Sequence, residues 1–527
     1  MSSRPAKRRR AHIVSFGAAS EADTQATPVN VPTSSAFSVR EPLHHAEDGI
    51  PSLSTLCARV FVANFPSLSR SRSGWEPRDP EQWRHIGDWL KMLPDEMIPK
   101  IFAMLRSSCP SLLSHELVKE HFLRGTSITL ASDLGGERPV SKFTVGAVVD
   151  VAKSVTSLQL IGFDKIMDQS LAAVISRLPL LRLLNLRGCT KASTKTVEAV
   201  SKHCPNLAVL NLNYTSPPPV ALAPLLISHK DSLEVLKLAG IPNSTDAAVA
   251  KLLAALPLDD DYSLPALRTL KLRETSITDT TLNVLLPKCP NIEHLDLSFT
   301  GVRHPVFLTG TLQPSLTKLS LTSTAVSSND LLTIVRNLPK LSRLAIGALG
   351  GGQGKASAIG NTSAMSLTDD TLRDLTELLA GLDGLESVNL VGNTKLGLGS
   401  RREPALLEFI RRVGYRLKRL NLAGITSLRS SDLEGLSIES NVGGEAPRLE
   451  ELNLNNTKVD DDAAEYISQC ASLVSLEVAG SKMTSEGLHT IVDACTRLRK
   501  LDVTSCRGVP VVERRRFFEA HESQKAS

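Results

Sequence analysis

A short pattern, Leu-x-x-Leu-x-Leu, returns along most of this chain and limits it to one kind of architecture. It begins at Val155 as VTSLQLIGFD and continues as LRLLNLRGCT (from Leu181), LAVLNLNYTS (Leu207), LEVLKLAGIP (Leu233), LRTLKLRETS (Leu267) and IEHLDLSFTG (Ile292). Further copies are LTKLSLTSTA (Leu316), LSRLAIGALG (Leu341), LESVNLVGNT (Leu385), LKRLNLAGIT (Leu417), LEELNLNNTK (Leu449), LVSLEVAGSK (Leu473) and LRKLDVTSCR (Leu498). Leu184, Leu210 and Leu236 are spaced by 26 residues, and Leu270, Leu295, Leu319 and Leu344 by 25, 24 and 25. A single unit of this size cannot bury its apolar face, whereas stacked units share one continuous core. The pattern therefore predicts an α/β solenoid of about thirteen units, with parallel strands on the concave face and helices on the convex face.

The second half of each unit has helical spacing. In ITDTTLNVLLPKCP, Leu282, Leu285 and Leu286 fall on one face. Asp279, Asp330, Asp369 and Asp460 stand where an N-cap is needed. Cys204, Cys289, Cys470 and Cys495 precede the first leucine of their units by three residues. Cys189 and Cys506 share a position after the strand with Thr215, Thr275, Thr300, Thr324, Asn393 and Thr457. That position calls for a small group able to bond the loop backbone. The stretches CPNLAVLNL, CPNIEHLDL, CASLVSLEV and CTRLRKLDV resemble the cysteine-containing subclass of leucine-rich repeats, common in substrate receptors of ubiquitin ligases. The resemblance covers roughly the last 370 residues.

At 527 residues the chain exceeds one compact core, as an array requires. A net charge of only +5 and 4% aromatic residues argue against a nucleic-acid-coating or base-stacking surface. No apolar run has the length of a membrane span, and MSSRPAKRRR lacks the hydrophobic stretch of a signal peptide. The eight cysteines are therefore expected to stay reduced, and none has zinc-ligand spacing. No cofactor is implied. GALGGGQGKAS, from Gly347, does not complete a phosphate-binding loop and reads as a flexible insertion. Other insertions fall at about 256–266, 394–408 and 426–448. With no catalytic frame in view, the chain reads as a binding protein and not an enzyme.

Residues 1–50 are rich in Ser, Ala, Pro and Thr and read as a disordered arm. Lys7, Arg8, Arg9 and Arg10 within it form a basic cluster of the nuclear-import type, which places the protein in the nucleus and also the cytoplasm. Residues 136–510 make the repeat domain and 511–527 a C-terminal tail. On the concave face, Lys237, Lys271, Arg273, His294, Lys318 and Arg343 give the middle of the arc a basic character, which suits an acidic or phosphorylated protein substrate. Glu451, Glu477 and Asp502 make its C-terminal end acidic.

Residues 51–135 differ from both neighbours and read as a small all-α segment that also caps the solenoid. Ser52-Leu53-x-x-x-Cys57-x-x-x-Phe61 resembles the BC box, by which substrate receptors grip elongin C; Phe61 is larger than the aliphatic residue usual there. Leu93-Pro94-x-x-Met97-x-x-x-Ile101 looks like the cullin box that follows it. LPDEMIPKIFAML is also similar to the start of an F-box, which grips Skp1, although the tryptophan that ends an F-box is missing. Between the two helices lies a polar loop with a tryptophan-rich turn, at Trp75, Trp83 and Trp89. The resemblance implies a non-catalytic substrate-recognition subunit of a cullin–RING ubiquitin ligase, recruited through residues 51–110. The alternative is a repeat scaffold in nuclear transport, repair or RNA handling, with no ligase link.

Overall fold

The structure is a computed structural model and describes residues 37–39, 52–69, 80–136, 138–257, 262–310, 315–348, 367–399 and 404–526. Among the described residues, fifteen strands form a single sheet. They are β1 (Phe37–Val39), β2 (Ser127–Ala131), β3 (Ser157–Ile161), β4 (Leu183–Asn185), β5 (Val209–Asn211), β6 (Val235–Lys237), β7 (Thr269–Lys271), β8 (His294–Asp296), β9 (Lys318–Ser320), β10 (Arg343–Ala345), β11 (Ser387–Asn389), β12 (Arg419–Asn421), β13 (Glu451–Asn453), β14 (Ser475–Glu477) and β15 (Lys500–Asp502). From β2 to β15 the strands run parallel in sequence order, with the middle leucines in register: Leu184 on Leu210, Leu210 on Leu236, Leu270 on Leu295. Those leucines are buried and the flanking strand residues face the concave side. The expected α/β leucine-rich-repeat solenoid is thus the fold.

The solenoid starts one unit earlier than the pattern indicates. β2 pairs with β3 over five residues, so the segment expected to be all-helical through residue 135 ends in a strand. At the other end, residues 37–39 leave the arm read as disordered and add antiparallel to β15, Phe37 opposite Asp502. This covers an edge that would otherwise present unpaired amides. The C-terminal tail is also ordered in part: a helix at Phe517–Ala526 buries Phe517 and Phe518, and His521 Nε2 meets Asp493 Oδ1 at 2.7 Å.

The repeat cysteines are buried, as expected, and burial pushes the thiols of Cys204 and Cys289 up to about 12. The small residue after the strand bonds the loop backbone: the hydroxyls of Thr215, Thr275, Thr300 and Thr457 donate to the carbonyls of Leu212, Leu272, Leu297 and Leu454 at 2.6–2.7 Å.

The aspartates behave differently from expectation. Helix starts are capped by the residue before them, Thr278, Ser327 and Thr368, and Asp460 makes no side-chain cap bond. Asp279 and Asp369 instead reach across to the next unit, whereas Asp330 bonds Ser327 and His304 and Asp460 bonds Ser430, which precede them. Asp168 accepts from the amides of Ser193 (2.8 Å), Lys195 (3.0 Å) and Thr196 (3.0 Å), and from the Thr196 hydroxyl (2.6 Å). Asp246 takes the Thr278 amide and two threonine hydroxyls, and Asp369 the amides of Gly397 and Gly399. Each carboxylate neutralises the unpaired donors and positive end of the neighbouring helix or loop. These clamps fix one unit's angle on the next.

Candidate functional site

Between β1 and β2 the described residues include the helices α1 (Leu53–Ser69), α2 (Pro80–Met92) and α3 (Ile98–Ser108), followed by short helical turns over 110–122. Ser52 starts α1, its Oγ accepting from the Thr55 amide at 3.3 Å. Ala58, Val62 and Phe65 recur at helical spacing and are buried in one core with Ile98, Ile101, Phe102 and Leu105 of α3. Lys100 Nζ donates to Thr55 Oγ1 at 2.6 Å and ties the two helices together at their polar margin.

α1 has a second apolar face. Leu53, Leu56, Cys57 and Val60 follow i, i+3, i+4, i+7 spacing, on the side opposite the buried stripe. All four are exposed, Leu53 at 76% and Val60 at 63%. Leu53 and Cys57 of the expected adaptor set therefore lie on the open face. Phe61 lies between the two faces, half-buried, with its ring 5.6 Å from that of Phe65. Val60 is the exposed aliphatic residue at that end of the stripe.

The second spacing is placed differently. Ile101 is buried, Leu93 and Met97 pack against the core, and only Pro94 is fully at the surface. In this arrangement Ile101 supports α1 from below and does not meet solvent. Arg124 holds the turn before α3, donating to the carbonyls of Leu90, Lys91 and Leu93 at 2.5–2.8 Å. The expected tryptophan-rich turn is helix α2 for Trp83 and Trp89, while Trp75 lies outside the described residues. Trp83 stacks edge-on to Phe65 at 6.0 Å. Trp89 (73% exposed) and Met92 stand one turn apart at the surface, a patch the sequence reading did not single out. Lys7, Arg8, Arg9 and Arg10 also lie outside the described residues.

On the concave face the register sets Thr269, His294, Lys318, Arg343, Ser387 and Arg419 side by side on consecutive strands. Lys237 and Lys271 form a neighbouring row with Asp296. Burial first, then the charges of Lys318, Arg343 and Lys271, push the His294 imidazole down to about 4. It is neutral at pH 7, 3.0 Å from the Thr269 hydroxyl, and adds no charge to the basic arc. Asn185, Asn211, Asn389, Asn421 and Asn453 accept from the amide two residues on at 3.0–3.1 Å, so this row caps the strand ends.

Arg273 stands apart from that arc, at the rim where each strand turns. The residue there is left-handed in most units: Gly162, Gly188, Gly240, Gly392, Gly424 and Gly480 hold it in six of them, and Ser323, Asn456 and Ser505 in three more. Tyr214, Glu274 and Phe299 hold the same position with φ of 57°, 57° and 59°. A left-handed backbone costs a non-glycine residue about 1–2 kcal/mol. The three side chains converge. Tyr214 Oη donates to Glu274 Oε2 at 3.2 Å, Arg273 Nε donates to Glu274 Oε1 at 3.0 Å, and the Arg273 guanidinium lies 4.6 Å above the Phe299 ring.

At the C-terminal end, burial and then the charge of Asp502 raise the Glu477 carboxyl, while Asn453 and Asn455 bond its Oε2. A raised carboxyl means that the folded chain holds the proton more tightly, so stability falls as pH rises from the ordinary glutamate value, about 4.3, through the folded one. Glu477→Gln keeps an acceptor for both amides. It should raise Tm at pH 7 and lose that gain below about pH 4, which thermal melts across the range would measure.

No protein-family model matches the chain. A curated relative, the putative F-box/LRR-repeat protein 23 of Arabidopsis thaliana, is 31% identical over 88 residues, 15% of this chain. The match spans 20% of that relative's length. Among solved structures, the yeast Rad7 and Elc1 complex aligns with TM-score 0.49 and 14% identity over 88% of this chain and 96% of that one. An internalin of Listeria monocytogenes aligns with TM-score 0.35 and 16% identity over 78% and 94%. The repeats and their register make the chain a leucine-rich-repeat protein, and over 88 residues it is similar to an F-box/LRR-repeat protein.

Proposed function

We propose that this protein is the substrate-recognition subunit of a cullin–RING ubiquitin ligase. It binds an elongin C-type adaptor through α1 and presents a protein substrate on the concave face. One observation carries the reading: α1 is anchored by one apolar stripe and offers a second, Leu53, Leu56, Cys57 and Val60, to solvent. A helix held only as a cap needs one such stripe. The two-sided design suits an adaptor groove that receives Leu53 as an anchor, with Cys57 small enough to let the helix lie close. Pro94, the exposed residue of the second spacing, faces a cullin, and Leu93 and Met97 hold it from the core side. The ligase chemistry belongs to the recruited RING protein, and Lys7–Arg10 direct the receptor to the nucleus.

The F-box-like relative supports the same class of role with a Skp1-type adaptor, so the test sets the two side by side. Full-length protein is titrated calorimetrically against purified elongin C (as its elongin B complex) and against Skp1. Elongin C binding with no Skp1 binding is the expected outcome. Binding of Skp1 alone exchanges the adaptor. Binding of neither leaves a repeat scaffold. The import signal is checked by imaging a Lys7–Arg10 alanine variant, which should lose nuclear enrichment.

A further inference from the structure

The rim cluster of Tyr214, Arg273, Glu274 and Phe299 has features that packing does not require. Three units place large side chains in a left-handed position that other units give to glycine, serine or asparagine. Backbone bonds from the next unit hold each one there: the amides of Tyr214, Glu274 and Phe299 donate to the carbonyls of Ala239, Ser298 and Thr322 at 2.7–2.9 Å. The Tyr214 ring crosses the whole intervening unit to reach Glu274, and only glycine allows this. A Cβ on Gly240 would stand 2.4 Å from Tyr214 Cδ1. The three large side chains in this conformation all meet Arg273 or its partner Glu274, which points to a use there.

What the strain secures is the orientation of Arg273. Glu274 takes its Nε, Phe299 takes one face of the guanidinium, and the terminal Nη groups make no hydrogen bond among the described residues. A guanidinium fixed in this way is a fork for a planar carboxylate, with its rotamer freedom already spent. Lys237 and Lys271 on the adjacent concave row add positive potential, and the Tyr214 and Phe299 rings give the fork apolar walls.

We propose that this rim is the recognition subsite for the substrate of the concave face, and that it takes an acidic, unmodified peptide segment. One side-chain carboxylate pairs with the Arg273 fork, and a neighbouring apolar residue rests on Phe299 and Tyr214. A single carboxylate balances the single fork, whereas a doubly charged phosphate would also face Glu274. The proposal rests on the receptor reading only in using the concave face for a protein partner; it does not depend on which adaptor α1 binds.

The test is selection of a random decapeptide display library on the full-length chain, followed by affinity measurement on the enriched sequence synthesised with and without serine phosphorylation. Enrichment of Asp or Glu beside an apolar residue is expected. Arg273→Lys keeps the charge but loses the fork, and should weaken the selected peptide about tenfold or more. Phe299→Gly relieves the backbone and should weaken the same peptide without lowering Tm. Enriched peptides without acids, or binding that needs phosphate, overturn the proposal. So does full affinity in Arg273→Lys, or Phe299→Gly that melts lower and binds normally. Elongin C titration of the same variants should be unchanged, which separates failure of the subsite from failure of the adaptor reading.

Discussion

Truncating Leu53 and Cys57 together to alanine is expected to weaken an elongin C complex about a hundredfold and to leave the fold intact. The magnitude follows from burial. Filling a partner pocket with a leucine side chain contributes about 1.5–3 kcal/mol, and each 1.4 kcal/mol is tenfold in affinity. The thiol adds a smaller contact. Both side chains are exposed in the free protein, so the unbound state loses nothing comparable. Phe65→Ala provides the contrast. That ring is fully buried between Phe61 and Trp83, and removing it costs about 3–5 kcal/mol of local stability. It should release α1 and lower affinity indirectly, with a visible loss of protease resistance around residues 52–69. Equal protease resistance and unequal affinity distinguish a docking residue from a supporting one.

The second large effect concerns the clamps between units. Asp168→Ala leaves three amides and a hydroxyl without their acceptor, at about 1–3 kcal/mol for each donor left buried and unpaired. The loss should appear as a lower melting midpoint and as faster amide exchange confined to the units around Ser193–Thr196. pH reports the same clamp. Burial raises the Asp168 and Asp246 carboxyls, but the combined hydrogen bonds outweigh it and hold both below the ordinary aspartate value. For an acid with a depressed folded pKa, the stabilisation is complete above the unfolded value, about 3.9, and is lost as pH falls through the folded one. The Tm difference between wild type and Asp168→Asn should therefore be constant above pH 5 and shrink below about pH 4. A difference that persists unchanged into acid would mean that the carboxylate charge plays no part in the clamp.

The solenoid was legible because its determinant is local: each unit repeats the same buried leucines, and the register follows from stacking them. The first unit was missed because Gly125 stands where the leading leucine belongs, leaving only Ile128 and Leu130 of the pattern. β1 escaped for another reason. Three residues of a polar arm form a strand by pairing with β15, a partner far along the chain that local composition does not encode. The Thr-Asp dipeptides at helix starts were ambiguous in the same way. The threonine caps its own helix, and the aspartate serves a unit that folds against it later in the sequence. In α1 both apolar stripes could be read, but only the packing against α3 shows which is covered. His294 belongs by sequence to a basic arc, yet burial and the charges of Lys318, Arg343 and Lys271 keep it neutral.

The central claim is that the open stripe of α1 is an adaptor handle. Affinity purification of the tagged full-length chain from cells, with quantitative mass spectrometry, tests it most directly when run beside Leu53→Asp. The account predicts elongin C and a cullin with the wild-type chain and their loss with Leu53→Asp, while concave-face partners are retained. Recovery of neither elongin C nor Skp1, or equal recovery of elongin C with Leu53→Asp, would contradict it.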